Sequence, residues 1–438
     1  MAPAVDDHSL SRVPASARYP WWSVAVQRFG QVSALTQFML GAALGFGLSF
    51  WDAFWALTFG ALILEFAMIL VGIIGMREGL STSMLARWTG FGRGGSAVIG
   101  LAIGISLVGW FGIQSGISAR GLHALIGGPP EWVWAIGFGL AVTAIVIAGF
   151  RSMAWTAYVT VPLFLALVAW SIISELSGHS LGALVSSPPP GPPMTVLQGT
   201  ALVAGSLMVG AVITSDMTRF NRTAGDVIKQ TVIGVTLGEY VIGLAGVLLA
   251  HAVGSSDIIA IVVSSVGLVG TLVIVAGTLK INDWNLYSAG LGLLTFIGVV
   301  SGRRPSRVTI TALVGVAGTL LGAAGILDRF TDFLILLGVL FPPIAGIMIA
   351  EYFVVRRWRG RLAEGRDTGA APASAPMWVP VTLVIWVVAT LIGVFVTAGL
   401  GSVNSLLAAF VLYAVCGRLG LITEVGASAT ETVERARA

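Results

Sequence analysis

The chain has 438 residues, of which 56% are hydrophobic and only 10% charged, and its mean hydropathy is +0.93. A soluble domain carries roughly 25% charged residues, so a water-facing globular shell is excluded, as are disorder and collagen-like repeats. The net charge of +4 would point to nucleic acid in a soluble chain; in a membrane chain it reflects cytoplasmic loop arginines, and no nucleic-acid partner is expected.

Residues 1–30 read as a cytoplasmic tail. They hold Asp6, Asp7 and three arginines, with no apolar core ahead of a cleavage site, so no signal peptide is expected. Apolar windows of about 20 residues then place spans one to five at 31–51, 53–76, 97–119, 132–150 and 152–174, with only 149–152 between the last two. Together they make a first half, 31–175. The outer linker 176–195 contains SSPPPGPP, which cannot be helical. A second half, 196–354, carries spans six to ten at 196–215, 229–252, 267–288, 308–327 and 333–354, and 254–266 reads as a short extra helix before the eighth. A basic loop (355–376), accessory spans eleven and twelve (377–399 and 402–420, within 377–420) and a C-terminal tail (421–438) follow.

Charge tests this count. With both termini cytoplasmic, as in a multi-pass plasma (inner) membrane protein, 21 of the 24 basic residues fall inside; Arg120 and Arg329 fall outside and Lys280 lies within a span. The expected fold is therefore an all-α polytopic membrane protein with twelve transmembrane helices. Five spans per half reverse the orientation of the second half, the arithmetic of an inverted repeat.

Polar groups at membrane depth are costly and mark candidate sites. Span one has Gln37 followed by Gly41, Gly45 and Gly47; span six has Gly205, Ser206 and Gly210. Such glycines serve either a discontinuous helix with freed backbone groups or close helix packing. In span three, Trp110 and Gln114 are four apart and share a helix face. An indole beside an amide suits a flat heteroaromatic ligand, by stacking and by paired donor and acceptor, or else packs between helices. Span eight contains GTLKINDWNLYSAG, where Lys280 and Asp283 are spaced for an intrahelical ion pair. Glu65 and Glu239 lie midway along spans two and seven: each is a proton carrier, a partner for a cation, or a protonated residue facing a helix. Asp216 and Arg219 form an inner gate or cap a helix end, and Pro342–Pro343 should bend or break span ten. One cysteine, Cys416, excludes a cysteine cluster; the histidines have no converging spacing, so no metal or other cofactor is expected, nor is ATP use.

Several of these residues stand in an ordered set. Val13-Pro14-Ala15-Ser16-Ala17-Arg18, Gly47-Leu48-Ser49, Gly79-Leu80-Ser81-Thr82, Leu85-Ala86-Arg87 and Val108-Gly109-Trp110-Phe111-Gly112 occupy the first half. Asp216 with Arg219-Phe220, Asn282-Asp283, Leu286-Tyr287 and Pro342-Pro343 occupy the second. In this the chain resembles the nucleobase:cation symporter-1 family, in particular its cytosine permease branch. The resemblance implies a LeuT-type five-plus-five inverted repeat plus two C-terminal helices, with substrate held between spans one, three, six and eight. It implies substrate-binding roles for Trp110, Gln114, Gln37, Ser206 and Asn282. There are departures. Leu107 stands where cytosine permeases carry a glutamine, and Leu207 replaces their span-six aromatic, leaving that wall absent or supplied by Phe38 or Trp284. The family's two sodium-ligating hydroxyl positions in span eight are Lys280 and Ile281 here, so the sodium site reads as lost. An ammonium there could substitute for the ion, with Lys280, Asp283, Glu65 and Glu239 as ion-site surrogates or proton-coupling groups.

The expected function is import of a nucleobase such as cytosine or a purine, or a similar flat heterocycle, by alternating access, without sodium. The alternative is a hydantoin, allantoin or hydroxymethylpyrimidine carrier. A base-binding receptor is disfavoured by the short tails, and an enzyme by the lack of a nucleophile, base or metal cluster at one depth. The partners are then the small heterocycle and the lipid bilayer; oligomeric state is not legible.

Overall fold

A computed structural model describes residues 11–32, 35–148, 166, 169–170, 173–174, 177–303, 305–364, 366 and 369–429, without the side chains of 258–260, 262–269, 273, 280 and 427–429. Arg151, Arg304, Arg435 and Arg437, the join between spans four and five and most of span five lie outside the described residues. Among those described, seven helices are long and apolar enough to cross a membrane, a bent pair makes an eighth, and three shorter apolar helices of 10–17 residues accompany them.

Span one is broken. Helices Trp21–Val32 and Leu35–Gly47 meet at 58°, so the span begins ten residues before the expected position. Gln27, Arg28 and Gln31 hid that first part from an apolar window. Of these, Arg28 is nonetheless fully buried: it donates to Gln31 Oε1 (2.7 Å) and Thr214 Oγ1 (2.6 Å), and lays its stem on Gly234 of span seven. Span six is broken too. Val196–Ser206 ends at Leu207, whose φ of −118° and ψ of 15° interrupt the helix before Met208–Val212.

Close packing accompanies both breaks. A Cβ on Gly41 would run into the carbonyl oxygen of Gly243, and one on Gly205 into that of Leu334. The glycines thus let spans one and seven, and spans six and ten, approach to backbone contact. In span ten the prolines act as expected: Phe330–Leu340 stops, and Pro342–Ile349 restarts with proline in its first turn, where the missing N–H costs nothing.

Spans three and eight are the long struts. Gly92–Ile126 runs against Ile258–Ser301, with Gly100 against Gly292 and Gly104 against Ala289. The expected extra helix at 254–266 is not separate; with no proline to stop it, the helix is continuous from Ile258. At 44 residues it extends roughly 66 Å, about twice the apolar thickness of a bilayer.

The loop after span ten and the start of the C-terminal tail are joined by a small sheet. Ser374–Trp378 pairs antiparallel with Val425–Ala429. Just before the second strand, Glu424 accepts both Arg361 nitrogens at 2.9 Å and the Trp358 indole at 3.3 Å. The buried Glu78 at the end of span two gathers Arg12 (3.1 Å), Arg366 and Tyr352 (2.7 Å), tying the tail before span one to the loop after span ten.

Candidate functional site

The site is built around the first turn of span ten. Gly205, next to the break in span six, packs on Leu334, and Gly109 of span three packs on the ring of Phe333. This places Trp110 edge to face with Phe333 (centroids 5.2 Å, 85°) and with Phe330 (6.2 Å, 66°). Phe38 of span one and Ile113 and Ile117 of span three belong to the same buried cluster. The indole is half-buried, so part of it stays available.

Phe330 and Phe333 were not singled out in the sequence. The available signal was their spacing of three on the helix of span ten, which puts both rings on one side. They supply the aromatic surroundings that Leu207 does not. Trp284, the other residue considered for that wall, is 54% exposed and stacks on Tyr287 (6.1 Å, 23°), away from Trp110. It turns outward because Asn282, Asp283 and Leu286 already fill the inward face of span eight.

One turn along from Trp110, the Gln114 amide is fully buried, and neither its oxygen nor its nitrogen has a hydrogen-bond partner. A buried unpartnered amide costs on the order of 1–3 kcal/mol. That cost is removed by any ligand offering one acceptor and one donor side by side. Gln37 is likewise buried with Nε2 unpartnered, beside Gly243 of span seven. Ser206 sits at the break in span six, its hydroxyl donating to Val203 O at 2.7 Å.

Asn282 is placed differently. Its Nδ2 donates to Phe111 O (3.1 Å) and Ser115 Oγ (3.2 Å), and its Oδ1 accepts from Asn285 at 3.4 Å. The amide is occupied as a tether between spans three and eight.

For the ion, Ile281 presents no oxygen. Thr278, the nearest preceding hydroxyl in span eight, is bonded to Ser118 and to Ile274 O (3.0 Å). Asp283 is fully buried. Lys280 belongs to this helix, and its side chain is outside the described residues. Glu65 and Glu239 lie on packed spans: Thr236 Oγ1 donates to Glu65 Oε1 at 2.7 Å, and Glu239 is one turn from Thr236 along span seven. At the end of span six Asp216 Oδ1 accepts the Thr82 N–H at 2.7 Å, and Arg219 lies over Phe220 at 4.9 Å. The carboxylate thus caps the helix that follows span two and joins the two halves there.

At the end of span three, Arg120 bonds Asp328 (2.8 Å), Asp257 (3.2 Å) and Glu131 (3.5 Å), a charge cluster drawn from distant segments that spacing could not reveal.

The chain is 29% identical over 355 residues to the cytosine permease of Escherichia coli, covering 80% of this chain and 82% of that one. It is 25% identical over 431 residues to the hydantoin permease of Microbacterium maritypicum, covering 91% and 84%. Among solved structures it is similar to the inward-facing conformation of Mhp1, with a TM-score of 0.79 at 21% identity over 96% of this chain and 95% of that one. A closed form of Mhp1, a nucleobase-cation-symport-1 family transporter with bromovinylhydantoin bound, superposes with a TM-score of 0.72 at 21% identity over 94% and 95%. The fold is thus of the LeuT type. Residues 12–416 match the family described as permease for cytosine/purines, uracil, thiamine, allantoin, and the chain belongs to that family of membrane transporters.

Proposed function

We propose that this permease imports a nucleobase such as cytosine or a purine, or a closely similar flat heterocycle, by alternating access and without sodium. The observation that carries the reading is the half-buried Trp110 indole one turn from the buried, unpartnered Gln114 amide. One offers a stacking face, the other a donor and acceptor pair. Gln37 and Ser206 add polar groups from the two broken spans, and Asn282 holds spans three and eight in register behind them.

A hydantoin-type ring is the second reading. It is favoured by Leu107 and Leu207, which depart from the cytosine permease pattern, and by the hydantoin permease, which aligns over 91% of the chain. Sodium independence follows from Lys280 and Ile281 standing at the hydroxyl positions. Both termini are placed in the cytoplasm by the distribution of basic residues.

The test is uptake of radiolabelled cytosine, adenine and hydantoin into proteoliposomes under separately imposed sodium and proton gradients. Saturable uptake of at least one ring, indifferent to sodium, is expected. Binding of a base with no uptake under any gradient would establish a receptor instead.

A further inference from the structure

Spans two and seven meet at a place the heterocycle site does not use. Glu65 comes from Phe50–Glu78; Glu239 opens the π-helical turn Glu239–Gly243. Glu239 is fully buried and neither carboxylate oxygen has a hydrogen-bond partner, while Glu65 has Thr236. Two carboxylates sharing a buried site cannot both be ionised. A single proton would relieve the excess negative charge and needs no cavity.

Among the described residues, no hydrogen bond or ion pair joins either carboxylate to a cation. Arg28, which packs on Gly234, directs its guanidinium to Gln31 and Thr214. Tyr240 is bonded to Thr58 at 2.8 Å, and Asp216 to Thr82. Asp52, Arg77 and Glu78 stand at the ends of span two; Asp226, Lys229 and His251 stand towards the ends of span seven. Gln37 contributes its unpartnered Nε2 beside Gly243, at the far end of the π-turn.

We propose that Glu65 and Glu239 form a proton-binding site between spans two and seven, separate from the heterocycle site, and that its proton is the coupling ion of transport. The second clause rests on the transport reading above. The proton is taken from water on the outer side, neutralises the Glu239 carboxylate, and is returned to water on the inner side. The neutral carboxyl donates a hydrogen bond that the carboxylate cannot. The π-turn is the part of span seven whose hydrogen bonding departs from the α pattern, a feature common at functional sites. It packs on the half of span one that carries Gln37, so a change at Glu239 reaches a candidate contact of the heterocycle directly.

Infrared difference spectra of the purified full-length protein test the site without any substrate. A protonated-carboxyl band is expected, lost in Glu239→Gln and altered in Glu65→Gln. In proteoliposomes, an acidic exterior should drive accumulation of radiolabelled cytosine, adenine or hydantoin, by about tenfold per pH unit for one proton per cycle. Glu239→Gln should lose that accumulation yet keep equilibrium exchange of the same label, which also shows that the variant is folded. Glu239→Asp should restore part of the accumulation. A band unchanged in both glutamine variants, or undiminished accumulation by Glu239→Gln, overturns the proposal. A band that behaves as expected, with no probe moved by the wild type, upholds the proton site and overturns the transport reading.

Discussion

Trp110 and Phe333 meet edge to face, with ring centroids 5.2 Å apart and planes at 85°. The contact fixes the indole plane by a ring from another helix, so the stacking surface is set before any ligand arrives. Trp110→Ala should weaken binding by about 1–3 kcal/mol, the range for base–aromatic stacking. Phe333→Leu should cost less, because it loosens the indole without removing it. Equilibrium binding of labelled heterocycles to purified protein measures both; equal affinities across all three proteins would mean that Trp110 only packs.

Gln114 is expected to act on choice more than on strength. Its amide is buried and unpartnered, and a site built to hydrogen-bond a ring edge rejects rings lacking that edge strongly. Gln114→Leu should therefore reorder preference among cytosine, adenine and hydantoin, with a smaller change for the weakest of the three. Competition assays against one label give the ranking directly.

The sodium prediction rests on two adjacent positions in span eight. An ammonium and a sodium ion 4 Å apart repel by about 4 kcal/mol at an effective dielectric of 20, and Ile281 offers no ligand. Lys280→Thr combined with Ile281→Thr should introduce sodium-stimulated binding where the parent shows none. If the parent already responds to sodium and ignores pH, the assignment is wrong.

A pH effect is expected at the two-stranded sheet. The Arg361 guanidinium, followed by the Trp358 indole, holds the Glu424 carboxyl below the usual carboxylate range. A depressed folded-state pKa contributes stability that is full above the unfolded value and disappears as pH falls through the folded one. Protection of the strand Val425–Ala429 against hydrogen exchange, relative to the intrinsic rate at each pH, should fall over that acid window. Glu424→Gln should exchange faster at neutral pH and lose this acid dependence, converging with the wild type at low pH.

How much of this was legible in sequence depends on the range of each interaction. Membrane insertion and the breaks of spans six and ten are properties of about 20 consecutive residues and could be read from apolar length, Gly205 and Pro342–Pro343, whereas the bend of span one lies ahead of the glycines that were expected to mark it. The pairing of Trp110 with Gln114 was legible too, because helical spacing alone puts i and i+4 on one face. Where local chemistry was mixed, it misled: Arg28 looked like a cytoplasmic tail residue, yet spans six and seven cover it.

Partners distant in the chain were decided only by tertiary structure. Phe330 and Phe333 reach Trp110 across more than two hundred residues, and Thr236 reaches Glu65 across 171. Asn282 proved to be a tether, and Glu424 met Arg361 beside a sheet that no pattern announced. Composition and periodicity determined which faces seek lipid or core, since burial of apolar surface is non-directional. Which polar groups met, and which were left buried without a partner, depended on helix register and on hydrogen-bond geometry sensitive to tenths of an ångström, and only the folded chain sets these.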